Sequence, residues 1–417
     1  MLGKRSPRPV GEADRSSRHD VLLLGGLALI CFVHFGATLS SLGLYQDLIR
    51  QEFGWSQTQA STVAAVFALA IAISAAVGGW LVEVFGPRRV MTASGVLVAI
   101  GYFIASVADS PVVFVGAFAA AGFGVGGATI VPSTYVASRY IRAGLGISMG
   151  VILCAASTGS TVIPVAVQSV IEHFGWRNAL GTTAATVLLT TLPITLLLVP
   201  YGEPNADVRP PHTGPASREA RIPWTPLMLV ILMQMLFQMS YLGLYIHFVP
   251  LFTSLGFTPS TAVLFFAIQN AVSAVALLGI GWIADRWSPH RIMLVAIFVN
   301  AGSILLLRLI GPQASSVFLL AGFIVGWGAS GGCSAQLAPL LISERVPPEA
   351  LGRAFGLSGF VAGLAEAFGP VLAGGLADLA GGYRGMLWIL ATLTFLAIVP
   401  LLARKMHRAP FRSVKLL

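Results

Sequence analysis

The chain is poor in charge. Asp, Glu, Lys and Arg make up 10% of its 417 residues, against about 25% in a soluble domain. Cysteine is scarce as well. The three that exist, Cys31, Cys154 and Cys333, stand far apart inside apolar runs, so neither a disulfide framework nor a metal site is expected. No P-loop is present, and ATP is not expected to drive the protein. No assembled nucleophile, metal cluster or cofactor motif appears, so an enzyme is not expected either. The residue alternation of an outer-membrane barrel is missing too.

Apolar sequence takes the place of all these. Hydrophobic residues make up 56% of the chain, and uninterrupted runs longer than about 18 residues recur along it. This pattern predicts an all-α polytopic protein that crosses a lipid bilayer twelve times. Residues 1–20 are polar and basic and precede a run too long for a signal-peptide core, so they read as a cytoplasmic tail. Residues 201–224 carry Pro204, Pro210, Pro211, Pro215 and Pro223 and read as a cytoplasmic linker between spans six and seven. Six spans then fall in 21–200 and six in 225–403, with a second cytoplasmic tail over 404–417. The seventh span is expected over 225–254. A net charge of +9 does not call for nucleic acid. With both termini inside, all Lys and Arg except Arg50, Arg177, Arg308 and Arg384 lie on the cytoplasmic side, as the positive-inside rule demands. The expected location is an inner or plasma membrane.

The chain is also written twice. Gly79-Trp-Leu-Val-Glu-Val-Phe-Gly-Pro-Arg-Arg-Val-Met91 returns as Gly281-Trp-Ile-Ala-Asp-Arg-Trp-Ser-Pro-His-Arg-Ile-Met293. Glu83 recurs as Asp285, and Pro87 and Arg89 recur as Pro289 and Arg291. Two pseudo-symmetric six-helix halves, related by an axis along the membrane normal, follow from that repeat.

Polar residues inside the spans are few and periodic. His34, Thr38, Ser41 and Tyr45 share one face of helix one, and Gln234, Gln238, Tyr241 and Tyr245 repeat the spacing in helix seven. Polar groups avoid hydrocarbon, so both faces are expected to look inward. Two readings stand for each: lining of a central substrate cavity, or hydrogen bonding between helices. Glu366 is the one carboxylate deep in a span. Ionised at that depth it would cost on the order of 3 kcal/mol, so it reads as a protonation site, a partner for a cationic group, or a neutral hydrogen-bonded Glu. His34 and His247 are the imidazoles of the spans and titrate near neutral pH when unperturbed. Gln269, Asn270, Ser273 and Gln336 complete the polar set, with the same two readings. Arg308 either adds a charge to the cavity or snorkels to the outer interface. Gly122-Phe-Gly-Val-Gly-Gly127 imitates a phosphate loop but lies inside an apolar helix, where small residues let backbones approach.

The doubled loop resembles that of the Major Facilitator Superfamily, on Gly79, Leu81, Glu83, Gly86, Arg88 and Arg89, and in the second copy on Gly281, Asp285, Arg286 and Arg291. Glu52-Phe-Gly-Trp-Ser56, Phe174-Gly-Trp-Arg177 and His247-Phe-Val-Pro250 are similar to the monocarboxylate porter and oxalate–formate antiporter branch. The resemblance implies a transporter working as a monomer without cofactor, carrying a small organic acid with a proton by alternating access. Glu83 and Asp285 would latch the cytoplasmic side, and His247 would bind or relay. The sequence departs from that branch in helix eight, where Leu277 stands in place of an expected arginine. Efflux or exchange of a larger, weakly charged metabolite or drug is therefore a second expectation, and a transporter-like sensor a third.

Overall fold

A computed structural model describes residues 10–55, 57–142, 144–200, 222–310, 317–379 and 382–403. The linker, apart from its last residues, and the C-terminal tail lie outside them. The described residues are helical and hold twelve helices long and apolar enough to cross a membrane. Lipid offers no hydrogen bonds, so each crossing satisfies its backbone within its own helix. The first half contains α1 (Arg18–Tyr45), α2 (Thr62–Phe85), α3 (Pro87–Val107), α4 (Pro111–Tyr140), α5 (Leu145–Phe174) and α6 (Trp176–Leu197). The second half contains α7 (Trp224–Ile246), α8 (Ser260–Ala284), α9 (Pro289–Leu307), α10 (Val317–Ser343), α11 (Pro348–Leu376) and α12 (Tyr383–Leu402).

The helix ends follow local chemistry. Gly86, at φ 82°, reverses the chain between α2 and α3, and Pro87 opens the next helix where its missing N–H costs nothing. The helix of the first crossing extends back to Val10, and its apolar span begins at Arg18. One expectation needs correction. The seventh crossing does not run unbroken over 225–254: α7 ends at Ile246, His247 forms the joint, and a short helix continues over Phe248–Ser254.

Packing divides the molecule by level. At the end bearing the basic loops, one buried cluster joins both halves, with Ala75, Val82, Tyr135 and Met149 of the first against Phe237, Leu337, Leu341 and Phe355 of the second. At the opposite end the halves have separate cores. Tyr102, Phe114 and Phe118 centre one, and Phe252, Phe323 and Trp327 centre the other. The molecule is sealed at its basic end and divided at the other.

Two helix seams carry the seal, α2 on α11 and α5 on α8. Both depend on glycine. Gly79 lies against Gly352 and Gly356, and Gly146 lies against Gly281 so closely that an added Cβ would sit 2.6 Å from the Gly281 carbonyl oxygen. Within the first half, Gly122 and Gly126 of α4 likewise press on Phe67 and Ile71 of α2. Gly43 has nothing within 4 Å of the Cβ position. Gly79→Val is accordingly expected to cost more than about 2 kcal/mol through overpacking, read as a drop of several degrees in the thermal midpoint in detergent. Gly43→Val, measured alongside, should move that midpoint by about a degree or less.

Candidate functional site

The carboxylates of the repeated loop sit at matching places in the two seams. Glu83, at the end of α2, accepts the N–H of Arg353 at 2.8 Å and pairs with the Arg353 guanidinium at 2.8 Å. Asp285, just past α8, accepts the N–H groups of Gly146 and Ile147 at 2.7 and 2.8 Å. Each acid thus caps the first turn of a helix in the other half, where unpaired N–H groups and the positive end of the helix dipole favour an anion. Burial pushes the Asp285 carboxyl above its usual value, and the N–H groups of Ile147 and Gly146 with the Arg286 guanidinium offset only part of that rise. Arg88 donates to the Leu196 carbonyl, and Arg286 donates to the Trp282 carbonyl at 3.0 Å while lying over its ring. Arg353 belongs to this arrangement and carries no mark in the repeated loop. Its signal was a second repeat, Leu145-Gly146 with Gly150 against Leu351-Gly352 with Gly356.

The helix-one stripe does not reach an open cavity. His34, Thr38, Ser41 and Tyr45 are each fully buried. His34 Nε2 bonds Thr191 Oγ1 of α6 at 2.9 Å. Thr38 and Ser41 donate to the carbonyls of His34 and Gly36. Tyr102 of α3 donates to the Thr38 carbonyl at 3.2 Å. These residues tie helices inside the first half. The residues of the stripe point away from hydrocarbon, but into their own bundle.

The helix-seven stripe is divided by depth. Gln234 accepts a bond from Ser358 of α11 at 2.6 Å and is buried. Gln238 is buried with its carbonyl oxygen unpartnered. Nearer the divided end, Tyr241 and Tyr245 are half-buried. The Tyr241 hydroxyl accepts from Gln269 at 3.3 Å, and Tyr245 donates to Asn270 at 3.2 Å. Their rings form a shelf, Tyr241 at 4.7 Å from Trp327 and Tyr245 at 4.7 Å from Phe266. At the joint beyond α7, His247 Nε2 bonds the Pro370 carbonyl of α11 at 3.1 Å. A carbonyl only accepts, so Nε2 carries the proton.

Glu366 lies on α11 one turn from Pro370, about 6 Å along the axis. Its helix face is bounded by Gly363, which touches Ala72 of α2, and by Gly369, which touches Met239 of α7. Phe368 and Val371, 59% and 71% exposed, lie on the other side, as lipid-facing residues should. The carboxyl therefore lies on the side of α11 between α2 and α7, and the residue is exposed. His247 meets α11 at the Pro370 carbonyl and beside Gly374, one to two turns beyond Glu366. Leu277 is buried against Gly332, and Arg308 is remote from this wall, donating to the Arg384 carbonyl and lying over Trp388. Gln336 joins the α5–α8 seam instead of the wall.

Twelve helices in two halves, sealed at one end by repeated carboxylate caps and divided at the other, describe a membrane transporter. The sequence profile described as the Major Facilitator Superfamily matches residues 26–361 and 250–415, and the chain belongs to that family of transporters, which are not enzymes. Among its relatives, human monocarboxylate transporter 11 is 29% identical over 83% of this chain and 74% of its own. The 3-(3-hydroxy-phenyl)propionate transporter of Escherichia coli is 24% identical over 89% of this chain and 91% of its own. The crystal structure of the superfamily transporter FucP in the outward conformation superposes with a TM-score of 0.71 at 14% identity, covering 94% of this chain and all of that one.

At Glu83, mutation separates the helix cap from the ion pair. Glu83→Ala removes a helix cap and an ion pair, whereas Arg353→Ala removes the ion pair and keeps the backbone N–H. With a cysteine at buried Ala75 beneath the α2–α11 seam and the native cysteines replaced, Glu83→Ala is expected to speed alkylation about tenfold. Arg353→Ala should raise it no more than about threefold, as suits a half-exposed pair.

Proposed function

We propose that this protein is a secondary active transporter of an inner or plasma membrane that carries a small organic acid, such as a monocarboxylate, together with a proton by alternating access. The observation that carries the reading is Glu366: a carboxyl on the side of α11 between α2 and α7, one turn before Pro370, whose carbonyl bonds His247. Such a carboxyl takes up a proton when facing hydrocarbon-like surroundings and gives it up when facing water. The absence of arginine from α8, where Leu277 is packed against Gly332, fits a solute that crosses as acid plus proton, since the pair has no net charge to balance. The seal at the basic end corresponds to a state open to the side opposite those loops, with the basic loops and both termini in the cytoplasm.

His247 and the hydroxyls of Tyr241 and Tyr245 would orient the solute. Glu366 would hold the coupled proton, and the caps at Glu83 and Asp285 would open as the halves rock. Leu277 also favours a second reading, exchange or efflux of a larger, weakly charged metabolite, for which no fixed cation is needed.

Uptake of labelled carboxylates into proteoliposomes separates the two readings. An imposed inward proton gradient should concentrate at least one acid of a panel that includes lactate, benzoate and phenylpropionate. Glu366→Gln should abolish the response to the gradient while leaving exchange of that acid measurable. Uptake indifferent to the gradient across the whole panel would refute proton coupling.

A further inference from the structure

Gln336 occupies a place that neither cavity lining nor the repeated carboxylates explain. It lies on α10, fully buried, and reaches out of its own half. Its side-chain Nε2 donates to the Leu277 carbonyl of α8 at 2.8 Å and to the Gly146 carbonyl of α5 at 3.3 Å. Both neighbours are carbonyl oxygens, so the amide can stand only with its NH2 towards them. Reversed, it would set three acceptors against one another. The amide oxygen is left buried without a partner.

Gly146 is thereby held on both of its polar atoms from the opposite half. Asp285 accepts its N–H at 2.7 Å and Gln336 donates to its carbonyl. The glycines explain how the amide gets there. An added Cβ at Gly281 would stand 2.7 Å from Gln336 Nε2, and one at Gly150 would stand 3.0 Å from it, so side chains at either position would displace the amide. The α2–α11 seam is built differently. In the register that lays Gly79 on Gly281, Gln336 falls on Thr134, whose hydroxyl donates to Ile130 of its own helix. There the clasp is Glu83, which accepts the Arg353 N–H and pairs with its guanidinium.

We propose that Gln336 is the bolt of the α5–α8 seam, a neutral amide that ties the two halves there as Glu83 ties them at the other seam, and so sets how much of the time the basic end is shut. The bolt also joins that seam to the backbone at Leu277 on α8. When the halves separate, Nε2 loses the Gly146 carbonyl, and water or a carbonyl of its own half must take over. The inference is independent of which solute is carried.

The test needs no substrate. Spin labels on cysteines at exposed Arg142 and Trp287, one in each half at the basic end, report the separation of the halves in the full-length protein, with Cys31, Cys154 and Cys333 replaced by alanine. Gln336→Met keeps the volume and removes both donated bonds, and Gln336→Asn keeps the amide but shortens its reach. The ratio of separated to closed molecules is expected to rise roughly five- to tenfold for Met and by less for Asn. The thermal midpoint of each variant is measured beside it. Should Met prevent folding, Asn alone carries the test. A folded variant whose midpoint falls while the distance distribution stays unchanged makes Gln336 a packing residue and overturns the proposal, as does an unchanged distribution with an unchanged midpoint.

Discussion

The structure depends on helix backbones meeting without side chains between them. At Gly79 on Gly352, and at Gly146 on Gly281, the two halves approach so closely that a methyl group would collide with a carbonyl. This contact lets Glu83 and Asp285 reach N–H groups of the opposite half at 2.7–2.8 Å. A cap of that kind is strong when dry and easily replaced by water. Glycine seams pack without interlocking, so the halves part without unfolding either one. Closure at one end and separate cores at the other are consequences of that choice.

The two halves bury their polar residues to different ends. In the first half, His34 bonds Thr191 of α6 and the Thr38 carbonyl accepts from Tyr102 of α3, which ties α1 into its own bundle. In the second, Tyr241, Tyr245, Gln269 and Asn270 stand against aromatic rings along a wall that is half open. On the proposed mechanism chemistry and movement are separated: glycines and caps at the basic end govern movement, while Glu366 and the tyrosine wall lie away from it.

The twelve crossings, the halves and the loop motif were legible because hydropathy and an internal repeat are long-range signals that survive local irregularity. The wall was only partly legible. A helix-one stripe of His34, Thr38, Ser41 and Tyr45 has the period of an inward face, but a face turned into its own bundle and one turned into a shared cavity have the same period. Gln336 looked like a cavity residue for that reason, whereas its partners are two carbonyls, and backbone oxygens leave no trace in side-chain patterns. Arg353 was hidden because the residue that Glu83 meets is chosen by helix packing across 270 positions of chain. The break at His247 was concealed by the apolar residues on both sides of it.

On the proposed mechanism one path through the molecule is closed at the basic end and open to the other, with position 366 on it. A cysteine at position 366 in the cysteine-free protein, treated in sealed vesicles of known orientation with a membrane-impermeant thiol reagent, reads that path. Modification is expected from the side opposite the basic loops, with protection from the basic side. Equal modification from both sides, or none from either, would contradict it.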